Sequence, residues 1–290
     1  MSRYRRKRTF KRLYAALAAL AALLFYGYQE YLAPAPSMPD GTLSVHFIDV
    51  GQGDSILLTC DGRSALVDAG TAEGGDAVVE YLRSQQIQQL DYVFATHPHA
   101  DHIGGMSKVL DTFGCQTFVM PDAAAYTRTF ENMLQSVEAC GAQAQTGQAG
   151  DSFSLGQARL QLLWPEEGYQ DDNANNVSLV IRVEYGAYSF LLTGDAESSV
   201  EAQFVGSLEP VTVLKAGHHG SDTSSCAQLL DAADPQYCVI SVGAGNSYGH
   251  PSASVLAELE ARGCTVLRTD QRGNIVFTIK DGALAYATER

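Results

Sequence analysis

Six consecutive residues near the middle of the chain hold a high density of side chains that bind metal ions. Positions 97–102 read His-Pro-His-Ala-Asp-His, so three of the seven histidines and one carboxylate share a single short loop. Imidazole nitrogens and carboxylate oxygens suit zinc and, with more oxygen ligands, manganese or iron. We therefore interpret this segment as a metal-binding loop rather than as a run of solvent-exposed histidines.

The metal-binding loop follows a predicted buried strand, Tyr92–Ala95, and Pro98 prevents that strand from continuing. A loop at the end of a strand is positioned by a rigid element, and a helix is predicted just after it, over Ile103–Phe113. Two side chains in the extended part of the loop point the same way, and two more open the helix. The loop could therefore serve two metal ions through two pairs of ligands: His97 with His99, and Asp101 with His102.

Three later segments offer further candidates. An apolar strand leads into Thr-Gly-Asp, and the carboxylate of Asp195 could bridge two cations, although a strand-terminal Gly-Asp is also typical of a plain turn. Adjacent histidines project differently, so we expect one ligand and one proton donor or phosphate contact from His218 and His219. His250 stands in a loop before a predicted helix and is either a site residue or an incidental loop residue.

Composition and charge limit the class of protein. The chain has 290 residues, of which 46% are hydrophobic and 18% charged, as expected of a globular protein. Seven of the 19 basic residues lie in the first twelve positions, which leaves 12 basic against 33 acidic residues and a formal charge of −21 from position 13 onward. We expect such an acidic body to repel polyanions wherever no cation intervenes.

The N-terminal region has the pattern of a membrane-targeting segment. A basic tail, 1–12, precedes an apolar stretch, 13–32, which we interpret as a signal anchor that holds the tail in the cytoplasm and places the rest of the chain outside it. The proline-rich linker 33–40 contains Ala33-Pro34-Ala35, but Pro36 disfavours cleavage there. We therefore expect a single-pass membrane protein, with cleavage and secretion as the alternative, whose catalytic domain occupies residues 41–290.

Short apolar, β-branched runs predict strands throughout that domain, with helical patterns between them. The strand candidates are Leu43–Ile48, Ser55–Leu58, Ala65–Val67, Tyr92–Ala95, Leu160–Leu163, Val177–Val183, Ser189–Leu192, Val211–Leu214, Cys238–Val242, Thr265–Leu267 and Ile275–Ile279. The helix candidates are Asp76–Gln85, Ile103–Phe113, Glu197–Val205, Cys226–Ala233 and Ser252–Arg262. This order predicts an α/β (α+β) fold with two sheets packed face to face and helices outside.

The metal-binding loop, the strand-terminal Gly-Asp and the late histidines together resemble the metallo-β-lactamase superfamily, which implies a four-layer αββα sandwich with one or two metals at the sheet edges. Four further segments are similar to the hydrolase domain of ComEC-type competence proteins: His46–Ser55, Asn175–Val180, Gly217–Ser221 and Tyr248–Pro251. The resemblance spans about Leu43 to Ile279. It implies hydrolysis of phosphodiesters. In ComEC, the implied substrate is the DNA strand that is not imported. With one apolar segment, this chain is not expected to transport DNA alone.

The resemblance also implies a site for two divalent ions, Zn²⁺ or Mn²⁺. The implied ligands are His97 and His99 for the first metal, Asp101, His102 and His219 for the second, and Asp195 as a bridge between them. Many superfamily members supply a third histidine to the first metal, yet no histidine lies between His102 and Asp195. Water, His250 or nothing would complete that site. Asp49 would orient a ligating imidazole, or would be a simple turn aspartate.

The expected mechanism uses a metal-bound hydroxide, because two cations lower the pKa of a bound water toward neutrality and polarise the electrophile. Asp101 and Asp195 would orient this nucleophile. We expect His218, Lys215 and His250 to supply hydrogen bonds or a proton to the phosphoryl oxygens and leaving group, although Lys215 could instead be a solvated strand-end residue.

The expected function is that of a membrane-anchored, extracytoplasmic phosphodiesterase or nuclease, with single-stranded DNA as a candidate substrate. The charge of −21 argues against tight nonspecific binding of DNA, which depends on lysine and arginine. The alternatives are a phosphorylcholine-esterase-like or small-ester hydrolase at the cell wall, a β-lactam hydrolase and a non-catalytic binding module. The ligand inventory argues against the last of these, because a decayed site would be expected to lose some of its ligands. The six cysteines lack metal-ligand spacing, and we assign them no disulfide pairing.

Overall fold

A computed structural model describes residues 41–290 of the chain. The predicted basic tail, signal anchor and linker lie outside the described residues. Within 41–290, no helix has both the length and the apolar composition that crossing a membrane requires.

Two β-sheets form the centre of the described domain. The first contains β1 (Thr42–Phe47), β2 (Ile56–Cys60), β3 (Arg63–Val67), β4 (Leu90–Phe94), β5 (Cys115–Met120), β6 (Gln143–Thr146), β14 (Ile275–Lys280) and β15 (Ala283–Thr288), in the order β15-β14-β1-β2-β3-β4-β5-β6. The second contains β7 (Ser152–Leu155), β8 (Ala158–Trp164), β9 (Val180–Tyr185), β10 (Tyr188–Leu192), β11 (Val213–Lys215), β12 (Tyr237–Ile240) and β13 (Thr265–Arg268), in the order β13-β12-β11-β10-β9-β8-β7.

Both sheets have an antiparallel part and a parallel part. Strands β3 to β6 are parallel to one another, as are β10 to β13, while the remaining neighbours are antiparallel. The carboxyl ends of parallel strands meet at one edge of a sheet, and binding residues gather at such an edge in open α/β sheets. Loops that follow β3, β4, β10 and β11 are therefore the places where a site can form.

Eight α-helices occur within residues 41–290. They are α1 (Gly75–Ser84), α2 (Ala100–Ile103), α3 (Met106–Phe113), α4 (Arg128–Ala139), α5 (Ser198–Phe204), α6 (Ala227–Ala233), α7 (Ala253–Ala261) and α8 (Thr269–Arg272). Three short 3₁₀ segments span Ala174–Val177, Val205–Ser207 and Gly217–Gly220.

Side-chain alternation along the strands produces separate hydrophobic layers. In β2, Ile56 and Leu58 point between the two sheets, while Leu57 points outward against helices of the first sheet. The outer cluster of the first sheet includes residues of α1, α3 and α4, and that of the second includes residues of α5, α6 and α7. The predicted arrangement of two facing sheets with helices outside is confirmed.

Several predicted boundaries differ from the observed ones. The helix predicted over Ile103–Phe113 is two helices, α2 and α3, separated at Gly104 and Gly105. A Cβ at Gly105 would lie 2.2 Å from the carbonyl oxygen of Ala69, so only glycine permits this approach. The strand predicted over Val177–Val183 begins at Val180, because a 3₁₀ turn occupies the preceding residues. The sequence interpretation did not predict α4, β5, β6, β7 or β15. All six cysteines are free thiols.

Candidate metal centre

Three strands, β4, β10 and β11, direct the candidate residues to one place. The metal-binding loop leaves the carboxyl end of β4, and Asp195 follows β10 after a two-residue turn. Strands β10 and β11 pair in parallel with Leu192 opposite Lys215, so the segment that contains His218 and His219 begins beside the turn that carries Asp195. The loop from the first sheet and the two loops from the second meet at this edge.

One carboxylate oxygen lies at the centre of the site. Oδ2 of Asp195 is 3.2 Å from Nε2 of His102 and 3.6 Å from Nε2 of His219. It is 3.8 Å from Nε2 of both His97 and His218. Asp195 and three of these four imidazoles are buried, the exception being His218. A strand-terminal Gly-Asp is thus not a plain surface turn here.

A group of four residues has the geometry of a metal site. Each member offers one nitrogen or oxygen atom, and these atoms lie within 4.8 Å of one another: Asp101, His102, Asp195 and His219. Two imidazoles and two carboxylates form a donor set that suits zinc, manganese or iron. Oδ1 of Asp195 is buried without a hydrogen-bond partner among the described residues, and a bound cation would satisfy it. The residues therefore fit a divalent ion.

The remaining two histidines of the loop form a second, smaller group. Nε2 of His97 lies 3.0 Å from Nδ1 of His99. Two nitrogens bound to one tetrahedral zinc lie roughly 3.3 Å apart, given zinc–nitrogen distances of about 2.0–2.1 Å. Asp195 is the third donor near His97. The first site therefore has fewer protein donors than the second, and His99 is exposed.

The local field favours positive charge on the second group. Burial alone would lower the pKa of His102, but Asp195 and Asp68 outweigh it and raise that pKa well above its ordinary value. Burial likewise opposes protonation of His219, yet Asp195, Asp101 and Asp54 raise its pKa to about 9. In His97, by contrast, burial dominates and holds the pKa well below its ordinary value.

Asp68 holds His102 from behind, a role that the sequence interpretation missed. Its Oδ2 lies 2.7 Å from Nδ1 of His102 and accepts a hydrogen bond from Oγ1 of Thr96 at 2.6 Å. Its Oδ1 accepts the backbone N–H of Thr96 at 2.8 Å. A carboxylate on Nδ1 fixes the tautomer that leaves Nε2 available to a metal. The available signal was a carboxylate immediately after β3, the parallel neighbour of β4.

Asp54 and Lys215 form a corresponding support behind His219. The ammonium of Lys215 is 2.7 Å from Oδ2 of Asp54, and both residues are buried. Oδ1 of Asp54 lies 3.4 Å from Nδ1 of His219, which is also 3.0 Å from the carbonyl oxygen of Ser241. Lys215 was expected either to contact the substrate or to be solvated, and the structure supports neither expectation. Its charge neutralises a buried carboxylate.

Asp49 does not orient a ligating imidazole among the described residues. Its Oδ1 accepts the backbone N–H of Gly51 at 3.2 Å, and its Oδ2 pairs with the guanidinium of Arg290 at 2.5 Å. This is the simple turn role that the sequence left open as the alternative. Asp68 takes the orienting role for His102, and the carbonyl oxygen of Ser241 takes it for His219.

The adjacent histidines have an uncommon backbone conformation. His218 and His219 have φ values of 49° and 55°, in the left-handed region that is costly for residues other than glycine. The conformation separates their side chains. His219 is buried beside Asp101, whereas the side chain of His218 is 25% exposed and its Nδ1 lies 3.1 Å from Oγ1 of Thr223.

An open cavity of about 300 Å³ lies against the site. Within residues 41–290, its lining contains no lysine or arginine and consists of Gln52, His99, Ala100, Asp101, Asp195, His218, His219, Tyr248 and His250. The ring of His250 packs against that of His218, with centroids 5.6 Å apart. The structure therefore places His218 and His250 at the cavity, where a substrate would contact them.

Comparison with known proteins agrees with this geometry. The sequence model of the metallo-beta-lactamase superfamily matches residues 48–243, which include the metal-binding loop, Asp195, His218 and His219. The chain belongs to the metallo-beta-lactamase superfamily. Within 41–290, its two-sheet fold is that of the superfamily: YhfI from Bacillus subtilis, a metallo-beta-lactamase fold protein, superposes with a TM-score of 0.55 over 84% of this chain and 100% of its own, at 13% identity.

The similar sequences include ComEC-type competence proteins. ComE operon protein 3 of Bacillus subtilis is 31% identical over 82% of this chain and 33% of its own length. Competence protein ComA of Neisseria gonorrhoeae is 31% identical over 91% of this chain and 36% of its own. The resemblance to ComEC-type competence proteins is confirmed, and the chain spans about a third of the length of these relatives.

Proposed function

We propose that this metallo-beta-lactamase superfamily chain is a metal-dependent phosphodiesterase of ComEC-like type, with single-stranded DNA among its substrates. The observation that carries the proposal is the convergence of four donor residues, one of which is Asp195, beside an open cavity. The similarity to relatives named for competence supports a nucleic-acid substrate.

The residues that would hold metal ions are those of the two donor groups. Asp101, His102, Asp195 and His219 would hold one ion, and His97 and His99, with Asp195, would hold a second. Such ions supply Lewis acidity and lower the pKa of a bound water. Asp68 would keep His102 in the ligating tautomer, and the carbonyl oxygen of Ser241 would do the same for His219.

The cavity side chains would move protons and bind the phosphoryl group. Asp101 has a side chain that is 31% exposed, and His219 holds its Oδ2 at 3.2 Å, so it could accept a proton from the attacking water. His218 is held at Nδ1 by Thr223, which leaves Nε2 to face the cavity and donate to a phosphoryl oxygen or to the leaving group. His250, beside it, would be a second donor.

The charge distribution limits how DNA would bind. In the part of the chain that the structure describes, no lysine or arginine lines the cavity, and Lys215 is neutralised by Asp54. We therefore expect local contacts near the scissile phosphate to dominate, with a weaker salt dependence than that of proteins that bind DNA through many basic residues.

A phosphorylcholine-esterase-like activity is the second candidate, and the same lining favours it. Acidic side chains and the exposed ring of Tyr248 could accommodate a quaternary ammonium group through electrostatic and cation–π contacts. The phosphoryl chemistry would be the same, and only the recognition of the leaving or retained group would differ.

The experiment is metal analysis of the purified full chain, followed by incubation with four substrates. These are single-stranded DNA, bis-p-nitrophenyl phosphate, p-nitrophenyl phosphorylcholine and nitrocefin. Chelator-sensitive cleavage of the first two is expected. Cleavage of nitrocefin alone would identify a β-lactam hydrolase instead, and failure of the metal-loaded protein to hydrolyse any of the four would favour a binding module.

We also propose that residues 13–32 anchor the chain in the cell membrane, with the hydrolase domain extracytoplasmic. The support is the sequence pattern of an apolar stretch after a basic tail. Fractionation of cells that express the full chain, with protease added to intact spheroplasts, tests this. Recovery of a protease-resistant chain in the soluble fraction of lysed cells would contradict it.

A further inference from the structure

Tyr248 combines exposure with a position at the site. Four large hydrophobic side chains of the described residues are exposed: Tyr126, Leu134, Tyr248 and Tyr286. Of these, Tyr248 alone lines the cavity, and it is 69% exposed. An exposed aromatic ring at the rim of a cavity is available to contact a ligand there.

The loop that carries Tyr248 is held in one conformation. The side chain of Asn246 donates from Nδ2 to the carbonyl oxygens of Gly243 and His250, at 3.0 and 2.7 Å. Its Oδ1 accepts the backbone N–H groups of Tyr248 and His250, at 3.2 and 3.1 Å. One amide thus ties both ends of the loop, and the ring is pre-positioned for binding.

A row of aromatic rings connects Tyr248 to the metal centre. Its ring is nearly parallel to that of His250, with an interplanar angle of 13° and centroids 5.9 Å apart. His250 packs against His218, whose Nε2 is 3.8 Å from Oδ2 of Asp195. A substrate group that contacts Tyr248 would therefore lie close to a phosphate that contacts His218.

Because no lysine or arginine occurs among the described residues that line the cavity, stacking is the main means by which these residues could recognise a base. Stacking of a base on an aromatic side chain is independent of base sequence and requires no lysine or arginine. We propose that Tyr248 is a stacking platform for the nucleobase next to the scissile phosphate, and that it makes the site select nucleotide esters over base-free esters. This inference rests on the proposed phosphodiesterase function and assigns its specificity to a residue.

The test compares two esters that share one leaving group and one phosphate charge. These are the p-nitrophenyl ester of thymidine 5′-monophosphate and ethyl p-nitrophenyl phosphate, with the full chain loaded with Mn²⁺. Removal of a stacking ring costs roughly 1–3 kcal/mol per base, so Tyr248→Ala should lower kcat/KM for the thymidine ester by about five- to 150-fold, mainly through KM. The ethyl ester should change little, and Tyr248→Phe should retain the preference.

A binding measurement separates this inference from the proposed activity. Calorimetric titration should show that thymidine 5′-monophosphate binds more tightly than 2-deoxyribose 5-phosphate, and that Tyr248→Ala removes the difference. Base-dependent binding without hydrolysis would overturn the proposed function and support the platform. Hydrolysis without base-dependent binding would support the proposed function and overturn the stacking platform.

Tyr126→Ala is the matched control, because Tyr126 is fully exposed and does not line the cavity. It should leave both esters unaffected. Equal losses on the two esters in Tyr248→Ala would overturn the inference. So would a larger loss on p-nitrophenyl phosphorylcholine than on the thymidine ester, since that would assign the ring to a cationic group.

Discussion

Oδ2 of Asp68 and Nδ1 of His102 lie 2.7 Å apart, and both side chains are fully buried. This contact leaves Nε2 of His102 as the ligating atom. In Asp68→Asn, an amide N–H would face Nδ1 and favour the tautomer that carries its proton on Nε2. We expect the affinity for the second metal to fall about 10- to 100-fold, with the fold retained.

Metal titration of Asp68→Asn, followed by calorimetry, measures this loss. Asp91→Asn is the control, because it also removes a carboxylate charge but lies at the surface against Arg63. Equal metal affinities for the two variants would contradict the assigned role of Asp68.

Removal of a loop ligand should abolish hydrolysis without unfolding the domain. Asp101 belongs to the four-residue group, and His99 is the partner of His97 in the smaller one. We expect Asp101→Ala and His99→Ala each to lose activity while their circular dichroism spectra match that of the parent protein. Full activity in a folded, metal-stripped preparation would refute the metal-dependent mechanism. Metal counts for the two variants would show which group loses its ion.

Metal binding should stabilise the domain, because its ligands come from both sheets. A ligand at about 100 times its dissociation constant contributes about 2.7 kcal/mol to the free energy of unfolding. Thermal unfolding with and without Mn²⁺ or Zn²⁺ should therefore show a concentration-dependent rise in Tm. In Asp195→Ala this rise should disappear. A rise of the same size in that variant would place the stabilising ion elsewhere.

Lys215→Met should destabilise the domain by about 3–5 kcal/mol, because it leaves the buried carboxylate of Asp54 without a counter-ion. The double variant Asp54→Asn/Lys215→Met should recover much of that loss. Urea unfolding of the parent and both variants measures it. If Lys215 instead contacted the substrate, its replacement would raise KM and leave the unfolding free energy unchanged.

Acid should destabilise the domain in part through His46. Burial lowers the pKa of His46 from 6.5 to about 4. As the pH falls below 6.5, the unfolded chain takes up a proton at this residue and the folded chain does not. Stability from this source is therefore complete above pH 6.5 and declines by roughly 1.4 kcal/mol per pH unit, about 3 kcal/mol in all, as the pH approaches 4.

His46→Gln should flatten this decline in urea unfolding between pH 7 and 4.5, measured with chelator so that metal release does not contribute. His46 contacts the hydroxyl of Tyr81 at 2.9 Å and lies outside both donor groups, so its titration can be separated from theirs. An unchanged pH dependence would show that His46 is not a source of the decline.

The metal-binding residues could be predicted from the sequence more readily than the residues that position them. The metal-binding loop is contiguous, and the strands before it and before Asp195 have apolar patterns that local reasoning can detect. Asp49, Asp54 and Asp68 each lie in a loop within two residues of a glycine, so nothing local separates them. The parallel pairing of β3 with β4 decides which carboxylate reaches His102, and this pairing is a long-range property.

The role of Lys215 could not be predicted either, because it also depends on a long-range contact. A lysine at a strand end next to histidines suggests a substrate contact, because an isolated lysine is seldom buried. Lys215 is nevertheless buried, because the carboxylate of Asp54, which is distant in the sequence, lies beside its ammonium group. Strands β6 and β15 were also unpredicted, because most of their residues face solvent at the edges of the first sheet and do not show the alternation of a half-buried strand.

The position of β14 between β1 and β15 has a consequence for synthesis of the protein. Strand β1 is made before every other described strand, whereas its second neighbour, β14, is made only after β13. Until then β1 presents an unpaired edge, which is prone to join another chain. A chain that stops between His219 and β14 would contain every residue of the two donor groups, but its first sheet would lack β14 and β15. We therefore expect chains that stop before β14 to aggregate.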